Sequence, residues 1–261
     1  MEYVVAIPSY QRPIAIEQKT LKTLKDGGVS PDKIYIFVAS NEEYDKYFNK
    51  IDKNLYHQII VGELGIRNQR VFISKFFKNQ TKIVSCDDDI EEFHFSTDKK
   101  TKIKIENVDG MFKQNFTKLS TEPGNAHLWG LYPVSNPYFM NNTVRTGLYF
   151  CIGCCFGYIN RHDDTLYPDP ILNNGKEDIE TSILFYLRDK KILRYDYISF
   201  KTKFNSVGGM GKYRFKEYEI AANYLEDKYP NLCTKRYRKN GLAEIKLKNN
   251  HTFEVAVPDL I

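Results

Sequence analysis

Four short apolar runs recur through the first third of the chain, each followed by an amphipathic or polar stretch. They are residues 2–8 (EYVVAIP), 33–39 (KIYIFVA), 57–61 (HQIIV) and 82–86 (KIVSC). Near-continuous runs of β-formers at this length read as strands buried on both faces. The intervening segments 14–26, 41–50 and 66–77 read as helices. The first carries Ile14, Ile16, Leu21 and Leu24 among lysines and glutamates, and Gly27-Gly28 ends it. Strands alternating with helices about every 25 residues mean βαβ units and a parallel sheet. The predicted fold class is therefore α/β, with residues 1–90 as a Rossmann-like half.

The rest of the chain is patterned differently. Residues 93–105 read as a hairpin turning at Asp98-Lys99-Lys100, and 107–119 as a helix. Residues 127–160 are rich in glycine and aromatics and read as strands, LYFCIGCCFGYI at 148–159 being the most apolar segment. A helix at 177–190, a strand at 192–200, a glycine-rich loop at 207–211 and a helix at 215–228 follow. Residues 236–257 read as a hairpin turning at Asn240-Gly241. The chain's 261 residues suffice for one substantial core without metal or disulfide staples. Hydrophobic content of 42% and charged content of 27% exclude a disordered polyelectrolyte. There is no apolar run long enough to span a membrane and no secretory leader pattern. Five cysteines, an odd count in a long chain, suit reduced thiols in a cytoplasm-like compartment.

Three consecutive aspartates, Asp87, Asp88 and Asp89, close the fourth strand. Open α/β sheets bind ligands at the carboxyl ends of their strands. In an extended segment Asp87 and Asp89 point the same way, so both can reach one hard divalent cation. Capping alone requires fewer charges than three in a row. At the same edge the first strand runs into Pro8-Ser9-Tyr10-Gln11-Arg12-Pro13. Tyr10 offers a stacking face for a base and Arg12 a partner for phosphate. After the third strand, Gly62-Glu63-Leu64-Gly65-Ile66-Arg67-Asn68 puts Arg67 at a helix start, where the macrodipole disfavours a cation and an anionic ligand would explain it. Lys176-Glu177-Asp178-Ile179-Glu180 opens a later helix. Asp178 or Glu177 suits a general base, and Glu180 a capping or orienting role. Cys151-x-x-Cys154-Cys155 lacks a second cysteine pair and lies in an apolar run, so it reads as core packing rather than zinc. The glycines at 208, 209 and 211 could wrap a diphosphate through backbone N–H groups, although neither phosphate-binding glycine fingerprint is present.

The strand into Pro-Ser-Tyr-x-Arg, the Gly-x-Arg-Asn helix start, the strand ending in Asp-Asp-Asp-Ile and the Glu-Asp about 90 residues later together resemble the GT-A glycosyltransferases. The resemblance covers residues 1–210. It implies a GT-A core with a nucleotide-sugar half at 1–90, an acceptor half at 91–210 and a C-terminal extension at 211–261 packed on the core. It implies a UDP-sugar donor with Mn²⁺ or Mg²⁺ held by the ends of a DxD motif, here Asp87 and Asp89. Pro8, Ser9, Tyr10 and Arg12 match the nucleotide turn. Arg67 and Asn68 match the diphosphate-facing helix start, with Asp88 beside them, and Asp178 or Glu177 the element that holds the base. Many members add a metal-binding histidine near the C-terminal end; none lies at 200–215, and Asn205 is the substitute.

IPSYQRP, GIRNQR and DDDI look most like the TET/JBP-associated glycosyltransferases, which are linked to DNA hypermodification in phages and kinetoplastids. That resemblance implies transfer of a hexose, glucose foremost, to the hydroxymethyl group of a modified pyrimidine, in a bacterial or host cytoplasm. Charge distribution agrees independently. Residues 1–90 carry 13 basic and 12 acidic side chains and residues 91–200 carry 13 and 14, whereas residues 201–261 carry 12 and 7. Lys235-Arg236-Tyr237-Arg238-Lys239 interleaves an aromatic with four cations, a composition suited to phosphate contact and stacking. Lys212, Arg214 and Lys216 could line the same groove. A glycan, protein or lipid acceptor, or a metal-dependent nuclease or nucleotidyltransferase, are the alternatives.

Overall fold

The computed structural model describes residues 2–121, 126–202 and 215–249, and the backbone of 251–255. Three apolar runs become β1 (Val4–Pro8), β2 (Ile34–Val38) and β3 (Gln58–Val61), and the fourth becomes β4 (Lys82–Cys86). Between β1 and β2 the helix has three parts: α1 (Pro13–Ile16), a π-helical turn (Glu17–Leu21) and α2 (Lys22–Asp26). Ile16, Leu21 and Leu24 are buried in it, but Ile14, counted in the apolar stripe from its spacing, is more than half exposed. Helices α3 (Asn41–Lys50) and α4 (Ile66–Phe76) complete the βαβ units. Strands β3, β2, β1 and β4 pair in parallel in that order.

Next come β5 (Ile90–Phe95), β6 (Ile103–Lys104), α5 (Val108–Thr121), β7 (Leu128–Leu131), β8 (Thr143–Gly147) and β9 (Cys155–Ile159). They are followed by α6 (Glu177–Asp189), β10 (Ile192–Tyr195), β11 (Ile198–Thr202), α7 (Phe215–Lys228), β12 (Cys233–Tyr237), β13 (Ala243–Leu247) and β14 (His251–Val255). The main sheet has nine strands in the order β14-β8-β10-β7-β9-β4-β1-β2-β3. β9 runs antiparallel to both β4 and β7, and β10 parallel to β7. So β1, β2, β3, β4, β7 and β10 all end at one edge. A smaller sheet, β11-β5-β6, lies beside it.

Apolar clusters cover both faces of the main sheet. On one side Val5, Ile7, Val84 and Cys86 pack with Ile16, Leu21, Met111 and Phe112. On the other Ala6 and Ile83 pack with Ile73, Phe77 and Phe185. A third cluster joins α6 to α7 and the hairpin, through Ile179, Ile183, Leu225, Tyr229 and Cys233.

Three expectations shift. The segment 148–159 is a strand only over β9, and 148–154 is irregular yet largely buried. Apolarity there reports burial rather than conformation, and the backbone finds partners such as Cys151 N–H to Ser182 Oγ at 3.0 Å. The strand expected at 192–200 breaks at Asp196-Tyr197 into strands of different sheets. The last hairpin is β12–β13 around Asn240-Gly241, starting at Cys233 rather than 236, and β14 leaves it to pair with β8. The boundary placed at 210/211 lies outside the described residues, as does the 207–211 glycine loop. Among the described residues no helix is long and apolar enough to cross a membrane.

Candidate active site

The loops after β1 and β4 meet because their strands are neighbours. Asp87, Asp88 and Asp89 do not continue β4: the strand stops at Cys86 and Asp88-Asp89 form a turn. The hydroxyl of Thr20, in the π turn, donates to Asp87 O at 2.8 Å and accepts from Ile90 N–H at 2.9 Å. A π turn shifts helix register by one residue, and here that register holds the aspartate turn in place. The three carboxylates therefore diverge. Asp88 accepts from Ser9 Oγ at 2.5 Å and from Arg12 Nη1 at 3.1 Å. Asp89 accepts from Thr202 Oγ1 at 2.5 Å and lies 3.5 Å from the same arginine. Ser9 and the Arg12 N–H both bond to Tyr47 OH, which anchors the Pro8–Arg12 turn on α3. Tyr10 is exposed.

Asp87 turns instead toward Arg70, a residue the sequence reading passed over. Arg70 Nη2 lies 3.2 Å from Asp87 Oδ1 and donates to Gly153 O at 2.7 Å, while Nη1 pairs with Glu177. The N–H of the same Gly153 donates to Asp178 Oδ2 at 2.9 Å. A Cβ on Gly153 would lie 2.6 Å from Arg70 Nη1, so glycine is what lets the guanidinium reach the backbone. One arginine and one glycine thus join the end of β4 to the start of α6.

Arg67, one helical turn earlier, points elsewhere: its Nε donates to Pro168 O at 2.5 Å and its Nη1 to Asn68 Oδ1 at 3.2 Å. Asn68 donates to Leu64 O, and its N–H to Asn173 Oδ1. Gly65, at φ +91°, starts α4 where a Cβ would run into the Asn173 side chain. Glu180 is fully buried and accepts from Tyr229 OH at 2.7 Å, Lys228 Nζ at 3.0 Å and Asp169 N at 2.6 Å, tying α6 to α7.

Charge balance defines the site. Five carboxylates (Asp87, Asp88, Asp89, Glu177 and Asp178) face two guanidiniums, Arg12 and Arg70. Burial pushes the Asp87 carboxyl up to about 6, opposed by Arg70 and reinforced by Asp89 and Asp88. Burial likewise lifts Glu177 to about 7, against the pull of Arg70 and with Asp178 adding repulsion. Asp178 is raised by burial too, opposed by Arg70 and by the Gly153 N–H. Arg70 is held firmly protonated, because its three acidic neighbours outweigh its own burial.

Buried anions in excess of cations suit a hard divalent ion, and carboxylate oxygens are the donors such an ion takes. Yet among the described residues no three His, Cys, Asp or Glu groups are arranged to hold one. Asn205, expected as a further ligand, lies outside the described residues, as do Lys212 and Arg214. The cysteines are all buried and unpaired, Cys86 and Cys155 facing each other at 3.6 Å across β4 and β9. The C-terminal cations are engaged: Lys235 with Glu219 at 2.9 Å, Arg236 with Glu244 at 3.2 Å, and Arg238 with Glu244. Tyr237 OH also bonds Glu219. Lys239 and Lys216 are exposed.

No protein-family model and no curated protein matches the sequence. Solved structures do. Staphylococcus aureus TarS 1–349 in complex with UDP-GlcNAc aligns over 88% of this chain and 67% of its own, at 15% identity and a TM-score of 0.56. TarS 1–349 without that ligand aligns over 88% and 72%, at 13% identity and 0.50. Mycobacterium tuberculosis glucosyl-3-phosphoglycerate synthase, in complex with Mn²⁺, UDP and glucosyl-3-phosphoglycerate, aligns over 95% and 87%, at 10% identity and 0.50. At such identities the likeness speaks for architecture alone: the chain has the α/β, Rossmann-like GT-A fold.

Proposed function

We propose that the chain is a metal-dependent glycosyltransferase moving a hexose, glucose foremost, from a UDP-sugar to the hydroxymethyl group of a modified pyrimidine in DNA. The observation that carries the reading is the meeting of Asp87–Asp89 with Glu177-Asp178 around Arg70, at the carboxyl edge of a GT-A sheet. The neighbours with UDP-GlcNAc, and with UDP and Mn²⁺, support the donor class.

In this reading Asp87 and Asp89 would hold Mn²⁺ or Mg²⁺, with Asn205 as a further donor, once Asp87 turns from Arg70 and Asp89 from Thr202. When bound, the cation neutralises charge on the departing diphosphate. Pro8, Ser9, Tyr10, Arg12, Asn68 and Asp88 form the nucleotide side. Ser9 and Arg12 fix Asp88, and Tyr10 presents its ring to the base. Arg67 reaches the diphosphate only by leaving Pro168 O. Asp178, less buried than Glu177, takes the proton of the acceptor hydroxyl as its oxygen bonds the anomeric carbon and the bond to UDP breaks. Glu177, locked to Arg70, positions the base. Residues 1–90 then serve the donor, 91–210 the acceptor, and 211–261 the DNA, in a cytoplasmic setting.

Lys212, Arg214, Lys235, Arg236, Tyr237, Arg238 and Lys239 are the proposed DNA contacts. The pairs of Lys235, Arg236 and Arg238 with Glu219 and Glu244 are partly open to solvent, where screening weakens an ion pair, so phosphate can displace them. The same pairs favour a second reading, an uncharged glycan or a protein acceptor. Incubating the chain with UDP-glucose and either hydroxymethylated or unmodified DNA separates the two: sugar must appear only on the hydroxymethylated strand. Asp87→Ala, Asp89→Ala and EDTA must each abolish it, and full transfer by Asp89→Ala in EDTA would remove the metal from the proposal.

A further inference from the structure

β7 and β10 end at the same sheet edge as β4, so the segment after Leu131 rises beside the aspartate turn. Only β9 stands between β4 and β7, which puts the two strand ends about 10 Å apart at the usual spacing. β5 leaves Asp89 directly and runs toward that segment. Its far end pairs with β11 (Phe95 opposite Ile198), and Tyr132 N donates to Ile198 O at 2.8 Å. The β5–β6 turn and the loop 132–142 are thereby brought together, and Lys102 Nζ donates to Ser135 Oγ across the junction at 2.9 Å.

This junction is built unlike an ordinary solvated loop. Tyr138 is 70% and Phe139 52% exposed, their rings edge-on at 5.0 Å. Pro137 and the Asn136 side chain, which accepts from Tyr138 N, fix the backbone beneath them. Lys99, Lys100 and Lys102 are exposed and make no ion pair among the described residues. Asp98 spends its carboxylate on the turn, accepting from Lys100 N, Thr101 N and Thr101 Oγ1. Exposed rings on one loop of this junction and cations without an ion pair among the described residues on the other match the two demands of an unstacked nucleic-acid strand, a face for each base and a charge for each phosphate. The C-terminal cluster, by contrast, has three of its cations paired to carboxylates.

We infer that Lys99, Lys100, Lys102, Tyr138 and Phe139 form a platform that takes single-stranded DNA alongside the active edge and holds the nucleotides flanking the acceptor base. The inference rests on the DNA-acceptor reading. Direct transfer to a single hydroxymethylated nucleoside does not need the platform; transfer to a strand does.

The test is fluorescence anisotropy of the full chain with a labelled oligodeoxythymidine about 20 nucleotides long, without nucleotide sugar. Tyr138→Ala/Phe139→Ala should weaken binding about tenfold or more. Lys99→Gln/Lys100→Gln/Lys102→Gln should reduce the slope of log affinity against log salt by about 2, from about 0.7 per phosphate contact. UDP binding by both variants should match the wild type, which also shows that they fold. If the wild type binds the oligonucleotide but both variants bind within about twofold of it, with the salt slope carried by Arg236, Arg238 and Lys239, the platform is overturned and the DNA reading survives. If the wild type shows no salt-sensitive binding, both fall, while UDP binding still bears on the donor half.

Discussion

Arg70→Met tests the charge logic of the site most directly. The Arg70 side chain is 12% exposed and that of Glu177 6%, so the substitution strands a buried carboxylate and removes the main counter-charge of Asp87. Removing one partner of a buried pair costs about 3–5 kcal/mol. Asp87 keeps about a third of its side chain exposed, so its share is trimmed by solvent. The cost depends on pH, with a definite sign. Folding raises Asp87 from 3.8 to about 6 and Glu177 from 4.5 to about 7. Stability from such groups is fully present below their unfolded pKa values and is lost as pH rises through the folded ones. A gap of about two pH units corresponds to about 3 kcal/mol per group as an upper bound. Arg70 opposes both shifts, so without it the loss deepens and extends to higher pH. Urea unfolding should put the variant about 3–5 kcal/mol below the wild type at pH 8, with the difference shrinking toward pH 5 as the carboxyls protonate. Arg70→Lys should fall between, since an ammonium keeps the charge but cannot span three acceptors. A deficit equal at pH 5 and pH 8 would refute the argument. It would mean that Arg70 merely packs, 5.4 Å over the Phe156 ring.

Four further substitutions probe neighbouring parts. Gly153→Ala places a Cβ against Arg70 Nη1 and should cost about 1–3 kcal/mol while lowering sugar transfer at least about tenfold, read by unfolding and by turnover together. Asp178→Asn should lower transfer by about 10²–10⁴ with UDP binding intact, and Glu177→Gln by less; the reverse ranking would move the base to Glu177. Glu180→Gln sets an amide among Tyr224, Lys228, Tyr229 and Asp169 N, where its NH₂ meets donors. A loss of about 2–4 kcal/mol at pH 7 by urea unfolding is expected, and a loss under 1 kcal/mol would show that the network contributes little.

The first ninety residues were legible because their strands are buried on both faces, and such strands appear in sequence as unbroken apolar runs. β1, β2, β3 and β4 lie within three residues of their expected bounds at either end. The same rule misled at 148–154, where an apolar run packs without regular structure. In the last hairpin, Asn240-Gly241 fixed the turn but not which strand pairs with what. β14 joins β8, more than a hundred residues away in sequence, and no local pattern encodes that choice.

The site divides along the same line. Asp87–Asp89 and Glu177-Asp178 each look locally like acidic residues at a loop or helix start, and each was found from its own neighbourhood. Arg70 had no such signal. It sits one turn inside α4, three residues beyond the Arg67 that a helix-start argument selects, and its partners lie 17, 83 and 107 positions away. A buried carboxylate group demands compensation, but only the fold adds the separate acidic segments into a single sum. Once five carboxylates are counted against Arg12 and Arg70, the remaining negative charge becomes the physical reason to look for a bound cation and to expect Asp87 and Glu177 to titrate close to neutrality. Binding of that cation should then lower both pKa values, so a proton release on Mn²⁺ addition near pH 6.5, lost in Asp87→Asn, would link the charge count to the metal without any sugar being transferred.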